Sequence, residues 1–302
     1  MTSSYPKGII EIGNINIKCI IFNITENNIS EILSTSIVPS EGIHNGTIVN
    51  LKKASNAIRS CITTAEKKSD VVIKKISVVL DEPEFLCTKF SKHRNIGGSK
   101  IYKDDIEFLL KEAKKEVVRN DESHSIIHIF NHNYIVDKKI FLEEPIDVYA
   151  DNLRHQVTFI TMPKNNIRNI KQAFMDCDIE IDRFISSIFA SAVKLLNEDE
   201  LTSGSILIDV DSEKISIGLF KNLAIIHTST FPVGTNHIAK DVAKVCSLTL
   251  EESENIIEKL DFLFLNNKDI FDDKSNLKKS FFQNTKFRKI SKSLIQNIVE
   301  AR

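Results

Sequence analysis

Three runs near the start of the chain, Gly8 to Ile12, Ile15 to Phe22 and Ile29 to Val38, alternate apolar and polar residues with a period of two. That period is what a half-buried strand requires. Gly13-Asn14 and the polar stretch Asn23 to Asn28 separate the runs, so the pattern predicts an antiparallel meander. The period then lengthens. From a cap at Asn50, the residues Leu51, Ala54, Ala57, Ile58, Cys61, Ile62 and Ala65 fall on one stripe of a helix. A strand over Ile73 to Leu80 completes a β-β-β-α-β unit.

From Pro83 to about Met162 the pattern changes. It predicts a strand around Phe85 to Phe90, a helix carrying Ile106, Leu109, Leu110, Ala113 and Val117, and three further strands, which together make a small inserted α+β module. The main pattern resumes with an amphipathic helix after Pro163, a strand over Ile179 to Ile185 and a helix through Ala190-Ser191-Ala192-Val193. Polar residues fill Asn197 to Gly204, which reads as a hinge.

Beyond that segment the opening pattern returns. Ile10-Glu11-Ile12-Gly13 leading to Phe22 has its counterpart in Ile208-Asp209-Val210-Asp211 leading to Phe220. Each places an acid near the end of a strand, turns tightly and runs back to a phenylalanine at the same offset. A third strand, Leu223 to Phe231, repeats the meander, and helices are expected at Asn236 to Cys246 and Leu250 to Leu260, the latter opened by a Thr249/Glu252 capping box. Two related lobes around a cleft are the plan shared by actin, Hsp70 and sugar kinases.

Composition narrows the function. A chain of 302 residues exceeds the size at which one core keeps growing, which agrees with two lobes. With 42% hydrophobic and 27% charged residues it has the balance of a folded protein, and a formal net charge of -1 gives no footprint for nucleic acid. Cys19, Cys61, Cys87, Cys177 and Cys246 form no CxxC pair and read as reduced thiols. The opening residues lack an apolar signal core and no apolar run approaches the ~18 residues that span a bilayer, so a cytoplasmic protein is expected.

Several stretches together resemble the bacterial cell-division family FtsA: Glu41-Gly42-Ile43-His44-Asn45-Gly46-Thr47-Ile48-Val49-Asn50, Tyr134-Ile135-Val136-Asp137, Phe231-Pro232-Val233-Gly234-Thr235-Asn236-His237-Ile238 and Ile298-Val299-Glu300-Ala301-Arg302. They occur in the family's order and span almost the whole chain. The resemblance implies an α/β, actin-like (ribonuclease H-like) two-lobed fold with an inserted α+β subdomain of SHS2 type. It implies subdomain 1A over 1–82 and 162–200, 1C over 83–161, 2A over 201–265 and part of 2B over 266–302. The pilus protein PilM is the nearest alternative of similar architecture.

In this family a triphosphate lies between the two hairpins, backbone N–H groups cradle it, and acids orient Mg²⁺. The resemblance therefore points to Glu11, Gly13, Asn14, Asp209, Asp211 and Gly234 as the remains of a nucleotide site; the plainer reading is that Glu11 and Asp209 simply end strands at hairpins. The first turn keeps Gly13 but reads Asn14-Ile15-Asn16 where the family presents a Gly-Thr-Thr-like turn. The second reads Asp211-Ser212-Glu213-Lys214-Ile215-Ser216, with no glycine in the turn and Ser216 in place of the family's aspartate. Each carboxylate a few ångströms from a bound anion costs roughly 1 to 4 kcal/mol at surface-like dielectrics, and Lys214 offsets only part of this. Ile257 stands where relatives often carry a lysine near the adenosine. ATP with Mg²⁺ is thus disfavoured, no catalytic residue is assigned, and a binding protein is favoured over an ATPase. Asp209, Asp211 and Glu213 holding a hard cation without nucleotide is the remaining alternative.

The partners the resemblance implies are the FtsZ C-terminal tail, further copies of the chain in actin-like contacts, and later division proteins recruited through residues 83–161, at the cytoplasmic face of the cell membrane. The tail would be received by the helix Ile290 to Arg302, where Leu294, Ile295, Ile298 and Val299 form an apolar stripe and Arg288, Lys292 and Arg302 supply charge. The alternative is a half-buried helix with solvated ends. The chain stops inside 2B, before the family's adenosine-binding glycine loop and its terminal amphipathic helix, so either it is part of a longer protein or it is a reduced relative that in this short form reaches the membrane only indirectly.

Three further patterns carry less. His124, His128 and His132 have helical ladder spacing but lie in a strand-like segment, where four residues span ~13 Å and one metal cannot bridge them. Gly97-Gly98-Ser99 reads as a mobile loop, and Asn266 to Asn276 as a solvated linker.

Overall fold

The computed structural model describes residues 6–25, 30–44, 46–81, 83–259, 276–282 and 288–302. The chain forms two units, one of residues 1–209 and 216–230, the other of 210–215 and 231–302.

The first unit opens with the expected meander: β1 (Lys7–Ile12), β2 (Asn16–Ile24) and β3 (Ser30–Pro39) pair antiparallel in succession. A two-residue hairpin, β4 (Ile43–His44) with β5 (Thr47–Ile48), leads to α1 (Leu51–Ser69). β6 (Lys75–Leu80) then returns parallel to β1. Alternation decides which face is buried. Ile10 and Ile12 of β1 and Ile17, Cys19 and Ile21 of β2 pack with Ala54, Ile58, Cys61, Ile62 and Ala65 of α1. Asn50 caps α1 as expected, its side chain accepting the Lys53 N–H at 3.1 Å, and replacing such a cap costs about 1 kcal/mol. Ser34 and Ser36, buried on β3, donate to the Ala65 and Cys61 carbonyls at 2.7 and 2.6 Å. These bonds satisfy the polar groups that the interface with α1 takes from water.

The insert follows: β7 (Leu86–Lys100), α2 (Lys103–Asn120), β8 (His124–Val136), β9 (Lys139–Phe141) and β10 (Tyr149–Pro163). Its antiparallel sheet has the order β7-β10-β8-β9. Leu109, Ala113 and Val117 of α2 are buried in clusters with Leu153, Val157 and Phe159 of β10. Gly97-Gly98 is not a loop but part of β7, where the two glycines take φ of +64° and +75° and the register with β10 shifts between Ala150 and Asn152. This is a bulge, a conformation glycine adopts without the steric cost of a Cβ. His155 is 1% exposed, stacks on Tyr134 at 4.4 Å between ring centroids, and among the described residues has no hydrogen-bond partner on either ring nitrogen. Burial pulls its pKa down to about 4.

The chain returns through α3 (Lys164–Met175), β11 (Glu180–Ser186) and α4 (Ser187–Leu195), and β11 pairs parallel with β6 to give the main sheet the order β11-β6-β1-β2-β3. The expected hinge is instead a helix, α5 (Glu198–Ser203). Asn197 and Glu200 cap it reciprocally and Gly204 ends it at φ +124°, which supports a single turn without an apolar stripe. A second meander follows, β12 (Ser205–Val210), β13 (Ile215–Lys221) and β14 (Ala224–Phe231), in the order β12-β13-β14. Phe220 and Ile225 of this sheet are buried with Ile160, Ile188 and Ala192.

In the second unit, α6 (Thr235–Cys246), α7 (Leu250–Lys259), a 3-10 turn (Lys279–Phe281) and α8 (Lys292–Glu300) enclose a core of Val242, Cys246, Ile256, Leu277, Phe282, Ile290 and Ile295. Thr249 and Glu252 cap α7 as expected, with bonds of 2.9 and 3.2 Å. The segment read as a linker, 266–276, lies outside the described residues except for Asn276, which bridges to Ser291.

Candidate functional site

The tip of the first hairpin is tight and tied down. A Cβ on Gly13 would stand 2.7 Å from the Asn16 carbonyl oxygen, so the turn has no room for a side chain there. Ser40, just past β3, donates its hydroxyl to the Gly13 carbonyl at 2.6 Å and its N–H to the Ile15 carbonyl at 2.9 Å. Glu11 lies directly across the hairpin from Lys18, and the two form an ion pair at 3.1 Å. Both face away from α1 into a groove of about 550 Å³ that Ser187, Ser191 and Lys194 of α4 also line. Ser187 donates to Asp81 at 3.2 Å. The groove therefore joins one carboxylate, two ammonium groups and two hydroxyls over an apolar floor that includes Ile9 and Ile20. Lys18, Ser187, Ser191 and Lys194 were not among the residues singled out from the sequence. Counting back from the Gly13-Asn14 turn places Lys18 opposite Glu11, whereas nothing local announces the residues of α4.

The second hairpin is arranged differently. Its turn closes with the Asp211 N–H on the Lys214 carbonyl at 2.9 Å, and the start of α6 is packed directly on it. A Cβ on Gly234 would lie 2.3 Å from the Asp211 carbonyl oxygen and 2.5 Å from that of Ser212. The first free N–H groups of α6 go to the same carbonyls, Thr235 to Asp211 at 3.1 Å and Asn236 to Ser212 at 2.8 Å. Glu213 turns onto the helix, accepting from Asn236 Nδ2 at 2.9 Å and from Lys240 Nζ at 3.0 Å. The amide of Asn236, followed by Lys240, holds the Glu213 carboxyl below its ordinary pKa. A helix N-terminus is a natural anion site because its N–H groups and dipole point outward. Here the chain's own carbonyls and carboxylate occupy it. Lys214 is 3% exposed and so is not presented to a ligand, and Ser216 lies 3.3 Å from Thr230, hydroxyl to hydroxyl. Asp209 is half-buried on β12.

Residues 85–161 match the family model for the SHS2 domain inserted in FtsA. Over 247 residues, 82% of this chain, the sequence is 28% identical to the cell division protein FtsA of Buchnera aphidicola subsp. Schizaphis graminum and 22% identical to that of Escherichia coli K12. Its sequence is thus similar to FtsA proteins. It covers 59% and 58% of those two relatives. Among solved structures, the PilM-PilN type IV pilus biogenesis complex superposes with a TM-score of 0.59 at 11% identity, over 84% of this chain and 69% of that one. The fold is actin-like, as the sequence led one to expect.

The three cations expected to receive an acidic tail, Arg288, Lys292 and Arg302, all lie in the second unit. Arg288 donates to the carbonyls of Cys246 and Ser247, closing the end of α6. Arg302 grips Asp241 through Nε at 2.6 Å and Nη2 at 3.3 Å, which lowers the Asp241 pKa and raises its own. Lys292 opens α8. Ile295 of that helix is buried, Ile298 and Val299 pack on the same core, and Leu294 is exposed. Ile257 packs against this core from α7. His124, His128 and His132 lie along β8, each with its own partner: Asp121, the Ser186 N–H and Thr158. Cys19, Cys61 and Cys246 are buried free thiols, and burial pushes Cys19 up to about 12.

Proposed function

We propose that this chain is a cell-division adaptor that binds the C-terminal tail of FtsZ, associates with further copies of itself and presents residues 83–161 to later division proteins at the cytoplasmic face of the membrane. Residues 1–82 and 162–200 would serve as subdomain 1A, 201–265 as 2A and 266–302 as part of 2B. The observation that carries this reading is the position of the SHS2 match, inserted between β6 and α3 of an actin-like lobe within a continuous FtsA-like similarity. Among the described residues no helix is long and apolar enough to cross a membrane. The test is a titration of the chain with a peptide of the FtsZ tail. Saturable binding that weakens when Arg302 is replaced by alanine is expected, and Asp241→Asn, which releases Arg302, should strengthen it. Absence of binding at high peptide concentration would sink the reading.

ATP turnover is not part of this proposal, because the second hairpin spends its anion-binding groups internally. A titration with ATP and Mg²⁺ showing tight binding would restore the ATPase alternative. The pilus-scaffold variant rests on fold likeness alone.

A further inference from the structure

The sheet of the insert treats its cations differently on its two faces. Phe90 of β7 and Val157 and Phe159 of β10 pack with Ala113 and Val117 of α2. Cations on that face are matched: Lys92 pairs with Glu116 and Arg94 with Asp105 at 3.2 Å, and the Arg94 guanidinium lies 4.6 Å from the centre of the Phe108 ring. Successive strand residues alternate between faces, so Lys89, Ser91 and His93 of β7 and Arg154, Gln156 and Thr158 of β10 belong to the other. There Thr158 is buried against His132 of β8, hydroxyl to ring nitrogen at 2.7 Å, and burial followed by the nearby Lys89 ammonium lowers the His132 pKa. Lys89 and Arg154 are exposed, and among the described residues neither forms an ion pair. The strands that build this face, β7 to β10, are described from end to end and lie within the inserted domain.

Lys89 stands opposite Thr158 and His93 opposite Arg154, which sets the two cations four residues apart along the sheet, about 13 Å. Between them Gln156 lies across from Ser91 on one side and from Asn133 on the other. The Asn133 side-chain oxygen is buried and among the described residues has no hydrogen-bond partner, a state that an incoming N–H relieves. Arg154 is flanked by Ile135, which pairs in turn with Ile140, a side chain 67% exposed. We propose that this face of the insert docks an acidic, extended segment of another protein, with two carboxylates four residues apart on Lys89 and Arg154 and an apolar side chain on Ile140. Four residues of extended chain span the same distance as the two cations, and the guanidinium of Arg154 can hold a carboxylate through two parallel N–H groups. A membrane fits less well, because only two cations contribute and each is attracted weakly to an anionic surface. The proposal rests on the adaptor reading of residues 83–161 and names the chemistry of what they receive.

The test is fluorescence anisotropy of the full chain with a labelled synthetic peptide that carries two glutamates four residues apart and a leucine beyond the second. Saturable binding below about 200 µM is expected, weakened about fivefold or more by Lys89→Ala and by Arg154→Ala, and progressively by added salt. A counterpart with glutamine in place of both glutamates should bind about tenfold more weakly. The double variant Lys89→Glu with Arg154→Glu should refuse the acidic peptide and take its lysine counterpart, with unchanged circular dichroism because both positions are exposed. No saturable binding by the native chain, equal binding of the glutamine counterpart, or indifference to both alanines overturns the proposal. So does sedimentation of the native chain with phosphatidylglycerol vesicles when the peptide stays unbound, which would assign the cations to a membrane. The FtsZ-tail titration, run in parallel, separates the two readings. A tail left unbound while the acidic peptide binds sinks the adaptor reading alone, and a bound tail with the acidic peptide unbound sinks this one alone.

Discussion

The two hairpins repeat one design and use it in opposite ways. The first holds its tip closed with Ser40 and leaves the charges beside it, Glu11 and Lys18, facing a groove. The second puts its charge on its own helix, so that Glu213, Asn236 and Lys240 satisfy one another. A repeated backbone therefore does not imply a repeated chemistry. What an anion meets depends on whether the donors around the turn are already engaged.

The largest effect that would separate the hairpins is steric. Gly234→Ala forces a methyl group into two carbonyl oxygens, whereas Gly13→Ala meets one. A loss of about 3 kcal/mol or more is expected for Gly234→Ala and roughly half of that for Gly13→Ala, measured by urea unfolding. Equal losses would show that the junction with α6 is looser than its geometry.

Acid should separate the units next. His155 and His128 are neutral in the fold, with pKa values lowered by burial from 6.5 to about 4. The neutral form is the one the fold favours, so its stabilisation is complete above pH 6.5 and is lost as pH falls toward 4. For His155 this amounts to about 3 kcal/mol. Glu213 has a depressed pKa, so its contribution is present above the ordinary carboxylate pKa and fades only as pH falls below it. Hydrogen exchange down a pH series is expected to show the insert of the first unit loosening before the Thr235 and Asn236 amides. The reverse order would break the comparison. His155→Leu, which removes two unpaired buried nitrogens, should raise stability and flatten the profile of the first unit.

Glu213→Gln tests whether the internal carboxylate is what keeps external anions away. Freed of that charge, Lys240 and the start of α6 should take up pyrophosphate about tenfold more tightly, a change of about 1.4 kcal/mol visible by calorimetry. The smallest effect expected is that of Ser40→Ala, which removes one hydroxyl bond from the first tip and should cost about 1 kcal/mol in the same unfolding assay.

What the sequence disclosed was local and periodic. The period-two runs, the Asn50 and Thr249 caps and the return of the meander after residue 204 all became elements within a residue or two of their expected ends. Gly97-Gly98 misled because a glycine pair reads the same in a loop and in a bulge, and only the facing strand distinguishes them. Asn197 to Gly204 misled because a single capped turn has no apolar stripe to announce it. The site was less legible than the fold. The roles of Glu213 and Arg302 depend on partners 23 and 61 residues away, and no short-range pattern signals a contact at that distance.

A helix terminus that already contains its own carboxylate has no empty state and no filled state to alternate between. In the proposed adaptor, a second hairpin with one setting would leave self-association independent of which nucleotide is at hand. The proposed association would then follow the number of copies in the cell, through synthesis and degradation.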